Sequence, residues 1–301
     1  MKRFFLCMAA VVVVSACSGG NPFVEETVVD PDAGIPAALT NNLQSVRYDP
    51  VAQTLTVTGI ALDDTPIAAV YTRKPGLDIP GTGYEAYTVQ DSSLDRHTTA
   101  YVRDIDGTRA AVVVAGVQFE HYFAGTVYAR AGAFDPPATT AGSGLVSYAG
   151  GYVGMLNGPG PNTDLLPVAP GTPADVRPSQ AAVVTGNTFI NADFAQNMVN
   201  GTVYNRSASL STGPVALATL SFEPAAIDPA SGTFTGNVTQ NLQARGTYGG
   251  IFGGTDASAV AGSLYAEGHI DGVDNEEEYG IFVLHACNSP SAEPICNQPV
   301  P

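Results

Sequence analysis

Short runs in which polar and apolar residues alternate, each ended by Gly, Pro, Asn or Asp, fill the chain from residue 46 onward, and no long helical-spaced stretch of Leu, Glu and Lys interrupts them. Alternation with a period of two places successive side chains on opposite faces of a strand. Thr54-Leu55-Thr56-Val57-Thr58 therefore reads as a half-buried strand, and residues 67–72 follow as another after a proline turn. Residues 101–105 and 108–116 flank Asp106-Gly107, a dipeptide that supplies the positive φ of a tight hairpin turn. Residues 119–131, rich in aromatics and valine, add a further strand. With 33 glycines, 22 prolines and only 13% charged residues, the composition weighs the same way, toward an all-β chain with little helix.

Residues 43–138 read as a β-rich domain of five to seven strands, ended by Asp135-Pro136-Pro137 and the small-residue run 138–142. Beyond it eight strands are expected, at 143–156, 180–193, 199–208, 215–223, 232–239, 244–253, 258–268 and 278–286, in a domain spanning 139–287. Eight antiparallel strands can close into a barrel, which removes exposed edges and fills its interior with side chains. A two-sheet sandwich is the alternative. Gly246, Gly249, Gly250, Gly253 and Gly254 suit sharp coiling or bulges in such strands. The connection 157–178, dense in Pro and Gly, is expected as an exposed loop.

The first residues point to export. Lys2 and Arg3 precede an apolar stretch at 4–14, the length of a signal-peptide core and short of the roughly 20 residues that span a bilayer. It ends in Val14-Ser15-Ala16-Cys17, small residues before a cysteine, which resembles the lipobox of bacterial lipoproteins. On that reading residues 1–16 are a signal peptide, Cys17 carries palmitate-type acyl chains, and the polar, aperiodic residues 17–42 form a flexible tether. Ser18 after the cysteine, rather than Asp, is similar to lipoproteins sent on to the outer membrane. The alternative is Cys17 as a small apolar residue beside an ordinary cleavage site.

Loss of Lys2 and Arg3 with the signal leaves 10 basic residues against 28 acidic ones, a formal charge of −18, with Lys74 as the remaining lysine. Nucleic acid is not an expected partner, because binding it takes a basic patch that neutralises phosphates. With Cys7 removed and Cys17 acylated, Cys287 and Cys296 form an even pair in an exported chain, which reads as a disulfide. Closing that loop of about 10 residues stabilises by roughly 2.7 kcal/mol on the chain-entropy model and pins the tail 288–301 to the last strand.

Gly232-Thr233-Phe234-Thr235-Gly236, the glycine- and aromatic-rich run 246–254, Val260-Ala261-Gly262 after a turn at Asp256, and Glu278-Tyr279-Gly280-Ile281-Phe282 follow one another in a recognisable order. It resembles the order in the C-terminal β-barrels of transferrin-binding protein B-like surface lipoproteins. Tyr148 to Gly154 and Asp193-Phe194 are similar to the opening strands of that barrel, so the resemblance covers about 145 of the 301 residues. It implies a β-rich handle-like domain ahead of an eight-stranded antiparallel barrel, and an outer-membrane, surface-exposed lipoprotein that binds a protein or solute ligand in nutrient or iron capture. The implied partners are the outer membrane through the lipid anchor, an extracellular protein or an iron- or haem-containing ligand, and an outer-membrane transporter. No binding residue and no resident cofactor carries over. A structural or adhesive envelope lipoprotein and a haem-binding module are the alternative functions.

The four histidines, His97, His121, His269 and His285, are scattered across the expected elements, and His285 in a terminal strand and His121 beside aromatics read as polar caps or satisfied core groups before they read as ligands. The haem alternative rests on His121, Tyr122 or Tyr128. Asp271, Asp274, Glu276, Glu277 and Glu278 carry the hard oxygens calcium favours, but the spacing lacks an EF-hand loop and reads as a solvated hairpin loop, so no metal site is assigned. The chain holds no Gly-x-Ser-x-Gly elbow, His-Glu-x-x-His pair or Gly-x-x-x-x-Gly-Lys loop, and no enzyme activity is expected.

Overall fold

The computed structural model describes residues 34–60, 66–119, 121–139 and 144–298. Its first sheet is a seven-stranded antiparallel meander of β1 (Leu43–Asp49), β2 (Thr54–Ile60), β3 (Pro66–Arg73), β4 (Glu85–Val89), β5 (Thr98–Ile105), β6 (Thr108–Ala115) and β7 (Ala124–Arg130), each paired with the next. Asp106 and Gly107, at φ of 51° and 81°, turn β5 into β6, and the Gly107 N–H donates to Asp104 Oδ1 at 2.7 Å. The sheet nearly closes on itself where β1 begins beside β7: the Asn42 N–H donates to Ala124 O and the Ala124 N–H to Asn42 Oδ1, both at 3.1 Å. β7 starts at Ala124, not at 119, because Phe119 turns the chain at φ 55° and Gln118 and His121 pair across that turn.

The second sheet holds β8 (Leu145–Pro159), β9 (Ala181–Asp193), β10 (Met198–Leu210), β11 (Gly213–Leu217), β12 (Leu220–Ala226), β13 (Thr233–Gln240), β14 (Gln243–Gly253), β15 (Ala259–Glu267) and β16 (Glu277–His285). β9 pairs with both β8 and β10, β10 with β12, and β16 with β8, so eight strands close an antiparallel barrel. The expected strand 215–223 divides into β11 and β12. β11 pairs only with β10 and forms a hairpin beside the barrel rather than a stave of it. Alternate residues face a lumen that aromatic rings fill: Tyr148, Tyr152, Phe222, Tyr248, Phe252 and Phe282 are all buried, and Phe222 stacks on Tyr248 at 4.4 Å and 9°.

The barrel's outer wall over β8 and β14 to β16 carries Val153, Met155, Ile251, Ala261, Ile281 and Val283, which share one buried cluster with β5 to β7. All eight residues of β6 are buried, which explains why Ala110-Ala111-Val112-Val113-Val114-Ala115 runs apolar without alternation. The single-turn helix α1 (Ala37–Thr40) wedges into this seam with Leu39 fully buried and Ile35 nearly so, and Thr126 Oγ1 donates to the Leu39 carbonyl at 3.0 Å. Residues 35–42, assigned to the tether on sequence, therefore pack with the body. They approach β7 so closely that a Cβ on Gly125 would stand 2.1 Å from Thr40 O. Residues 17–33 lie outside the described residues.

The connection between β8 and β9 is mostly exposed, as expected, and it also straps the first sheet: Asp164 pairs with Lys74 at 2.6 Å and with buried His97 at 3.0 Å, and Gln118 Nε2 donates to Val176 O at 3.1 Å. After β16, Cys287 and Cys296 stand with Cα atoms 5.4 Å apart and sulfurs at bonding distance. The closed turn places Glu293 2.7 Å from Arg103 of β5.

One tyrosine joins the two sheets. Buried Tyr84 donates its hydroxyl to Gly151 O of β8 and accepts the Val283 N–H of β16, both at 3.0 Å. Tyr84→Phe leaves a buried carbonyl and a buried amide unsatisfied, and is expected to lower unfolding stability by about 1–3 kcal/mol with an unchanged denaturant slope. Chemical denaturation checks it, and an unaltered midpoint would mean that the seam does not depend on this hydroxyl.

Candidate functional site

Aromatic rings fill the lumen, and open space lies at one end of the barrel. There the β10–β11 hairpin and the connection 268–276 stand beside the end of β8. Between them runs an apolar cleft of about 300 Å³ lined by Leu156, Leu210, Val215, Leu217, Ile270 and Val273. Val215 and Val273 are 41% and 48% exposed, unusual for valines that share a concave wall. Glu276 also lines this cleft and is 4% exposed. Its Oε1 accepts the Ile270 N–H at 2.7 Å, while its Oε2 is buried with no hydrogen-bond partner among the described residues. The same hairpin borders a polar cleft of about 460 Å³ that includes Gln240, Arg245, His269 and Asp271.

Behind both clefts sits a buried charge cluster. Arg206 Nη2 approaches Glu278 Oε2 at 2.5 Å and Arg206 Nη1 donates to Ala218 O at 2.6 Å. Tyr152 donates to Glu278 Oε1 at 2.6 Å, and His269 Nε2 lies 3.3 Å from Oε2, within ion-pair distance but without hydrogen-bond alignment. Burial opposes ionisation of Glu278, but the Arg206 charge, followed by His269 and the Tyr152 hydroxyl, outweighs it and holds the carboxyl down at about 2. The opposite effect, burial with the Glu278 charge beside it, pushes the Tyr152 phenol well above its ordinary range.

The residues singled out on sequence scatter. Cys17 lies outside the described residues. His97 serves the strap and His285 is half-buried at the end of β16. His121 is exposed, Tyr128 is buried in the seam and Tyr122 lines a separate cleft, so the three haem candidates occupy three different environments. The acidic run is not one solvated loop. The period of two in β16 sends Glu278 into the lumen and Glu277 outward, and Glu276 is buried just before the strand, whereas Asp271 and Asp274 are exposed. Among the described residues no three His, Cys, Asp or Glu side chains group to hold a metal. Sequence reading missed Arg206 and Tyr152. The available signal was a charged residue at an inward position of a strand, two before Ala208.

Glu278 ionises more readily folded than unfolded. Its contribution to stability is therefore complete above its ordinary value of 4.5 and lost as pH falls toward 2. Glu278→Gln leaves Arg206 buried and unpaired and is expected to destabilise by about 3–5 kcal/mol at neutral pH. It should also flatten the dependence of stability on pH between 4.5 and 2. Denaturation across that range checks both, and an acid limb as steep as the wild type's would clear Glu278 of the effect.

No family model matches the chain, and no curated protein matches it. Among solved structures, intact Ap-TbpB with its N and C lobes aligns at a TM-score of 0.39 and 12% identity over 81% of this chain and 55% of that one. A double mutant of transferrin binding protein B from Haemophilus parasuis Hp5 gives 0.39 and 12% over 81% and 54%. The isotype 1 transferrin binding protein B of serogroup B Neisseria meningitidis gives 0.32 and 13% over 79% and 51%. The chain thus spans about half the length of these proteins. At such scores the likeness carries no inference about ligand or partner.

Proposed function

We propose that the protein is a lipid-anchored outer-membrane lipoprotein that binds an apolar ligand, a solute or the apolar side chain of a protein, in the cleft at the barrel end. The observation that carries the binding reading is the cleft itself: six aliphatic side chains around a space of about 300 Å³, with a buried carboxylate oxygen of Glu276 left unpaired beside them. That volume lies at the low end for ligand pockets, and such sites combine apolar walls with a few placed polar groups. The Val14-Ser15-Ala16-Cys17 segment supports the anchor, through acylation of Cys17. Capture at the cell surface, with delivery to an outer-membrane transporter, is the purpose implied by the strand motifs' resemblance to transferrin-binding protein B-like lipoproteins.

Binding is tested with N-phenyl-1-naphthylamine, an apolar fluorophore with one N–H. Saturable enhancement is expected, weakened at least about tenfold in Leu217→Asp, which places a charge in the apolar wall. Equal enhancement by both proteins would remove the cleft from the reading. Location is tested by protease shaving of intact cells beside a periplasmic control. Digestion with the control intact supports surface exposure. Protection of a protein that is readily cleaved once purified would turn the reading to an envelope component facing the periplasm. Cys17→Ser should leave the membrane fraction altogether.

A further inference from the structure

A third cleft, of about 400 Å³, opens where the barrel wall meets the edge of the first sheet, and three tyrosines line it. Tyr265 and Tyr279 are direct cross-strand partners on β15 and β16, with ring centroids 5.1 Å apart and planes tilted by 48°. Tyr122, from the turn before β7, closes the third side, and Asn41 donates to the Tyr279 hydroxyl at 2.8 Å. One step along the same face of the ladder, Glu267 lies directly opposite Glu277. Like charges so placed repel, and a sheet ordinarily sets an opposite charge there.

Here none is supplied. Among the described residues neither glutamate has a basic partner, and Arg245, on the neighbouring strand β14, turns to Gln243 Oε1 at 2.9 Å. The carboxylates are held by phenols instead. Tyr265 donates to Glu267 at 2.6 Å, Tyr279 lies 3.4 Å from Glu277 Oε2, and Tyr122 makes a short contact to the same oxygen. Burial, reinforced by these carboxylates, pushes all three phenols above their ordinary range, so they remain neutral donors. The result, among the described residues, is two carboxylates without an ion-pair partner beside three electron-rich rings.

We propose that this cleft binds a small organic cation of the alkylammonium class. The half-buried rings of Tyr265 and Tyr122 leave aromatic surface to the cleft, which an ammonium head can contact beside the two carboxylates. Glu277 Oε2 already takes two hydroxyls, so what it offers a ligand is charge more than acceptor geometry, and a quaternary ammonium with no N–H needs only charge. A phosphocholine group would bring its phosphate toward Glu267 and Glu277, which favours a free cation over a lipid head group. The site is separate from the barrel-end cleft and does not rest on that reading.

Calorimetric titration with choline, against its neutral isostere 3,3-dimethylbutan-1-ol and against phosphocholine, tests the assignment. Choline is expected to bind saturably and at least about tenfold more tightly than either comparator. Tyr265→Leu and Glu277→Gln should each weaken it by about tenfold while thermal midpoints stay within a few degrees of wild type. Tyr279→Phe, which keeps the ring, should retain most of the affinity. Equal affinity for choline and the neutral isostere, no saturable binding of choline, or unaltered binding in both Tyr265→Leu and Glu277→Gln would overturn the proposal.

Discussion

Every residue of β6 and β7 is buried, one face by the first sheet's own interior and the other by the barrel wall, and much of the molecule follows from that double burial. A strand with no solvent face has nothing to gain from polar alternation, so small and β-branched residues occupy both sides. The barrel strands against it must be apolar outward as well as inward. β16 meets this with Ile281 and Val283 turned to the first sheet and Phe282 and Leu284 to the lumen. The barrel's far wall is freer, and β12 alternates buried and exposed residues along much of its length. The clefts described above accordingly lie at the ends and edges of the two sheets.

The lumen repeats the theme by a different means. It is packed with rings, yet it keeps Arg206 and Glu278 without access to water. Such a pair is weak evidence for stability, because desolvating two charges offsets most of what their attraction returns. Its geometric effect is plainer. Arg206 spends one nitrogen on Glu278 of β16 and another on the Ala218 carbonyl between β11 and β12, which fixes where the β10–β11 hairpin leaves the barrel. That hairpin walls both clefts at the barrel end. The buried charge cluster is thus a positioning device for the candidate site rather than part of it.

Strand placement was largely legible because period-two alternation and Asp-Gly turn chemistry are local, and β5, β6, β9 and β13 to β16 lie within a few residues of their expected bounds. What eluded sequence reading depends on long-range partners. The short run from Ile35 to Leu39 carries too little pattern to declare itself buried, and its burial depends on β7 and the barrel wall. The proline-rich connection 157–178 is mostly solvated, as its composition says, but its tie to Lys74 and His97 through one aspartate is not legible in the sequence. The acidic stretch before the last strand was read by content, whereas its consequences come from direction, with Glu276 and Glu278 inward and Glu277 outward. None of the three clefts was visible, since each draws its walls from segments far apart in the chain.

The outward row of β16 shows how the double burial also generates an edge. Running along the strand, that row reads Glu277, Tyr279, Ile281, Val283, polar at its start and aliphatic where β5 to β7 cover it. Tyr279 stands at the crossover, its ring packed into the seam and its hydroxyl directed to Asn41 and Glu277. An amphipathic side chain is what such a border requires, because a purely aliphatic residue would be wetted at one end and a purely polar one would be buried unsatisfied at the other. Tyr265 meets the same demand on β15, and Tyr122 meets it from the first sheet. Three tyrosines converge because the apolar cover ends there, and the two glutamates just beyond it give that border its charge.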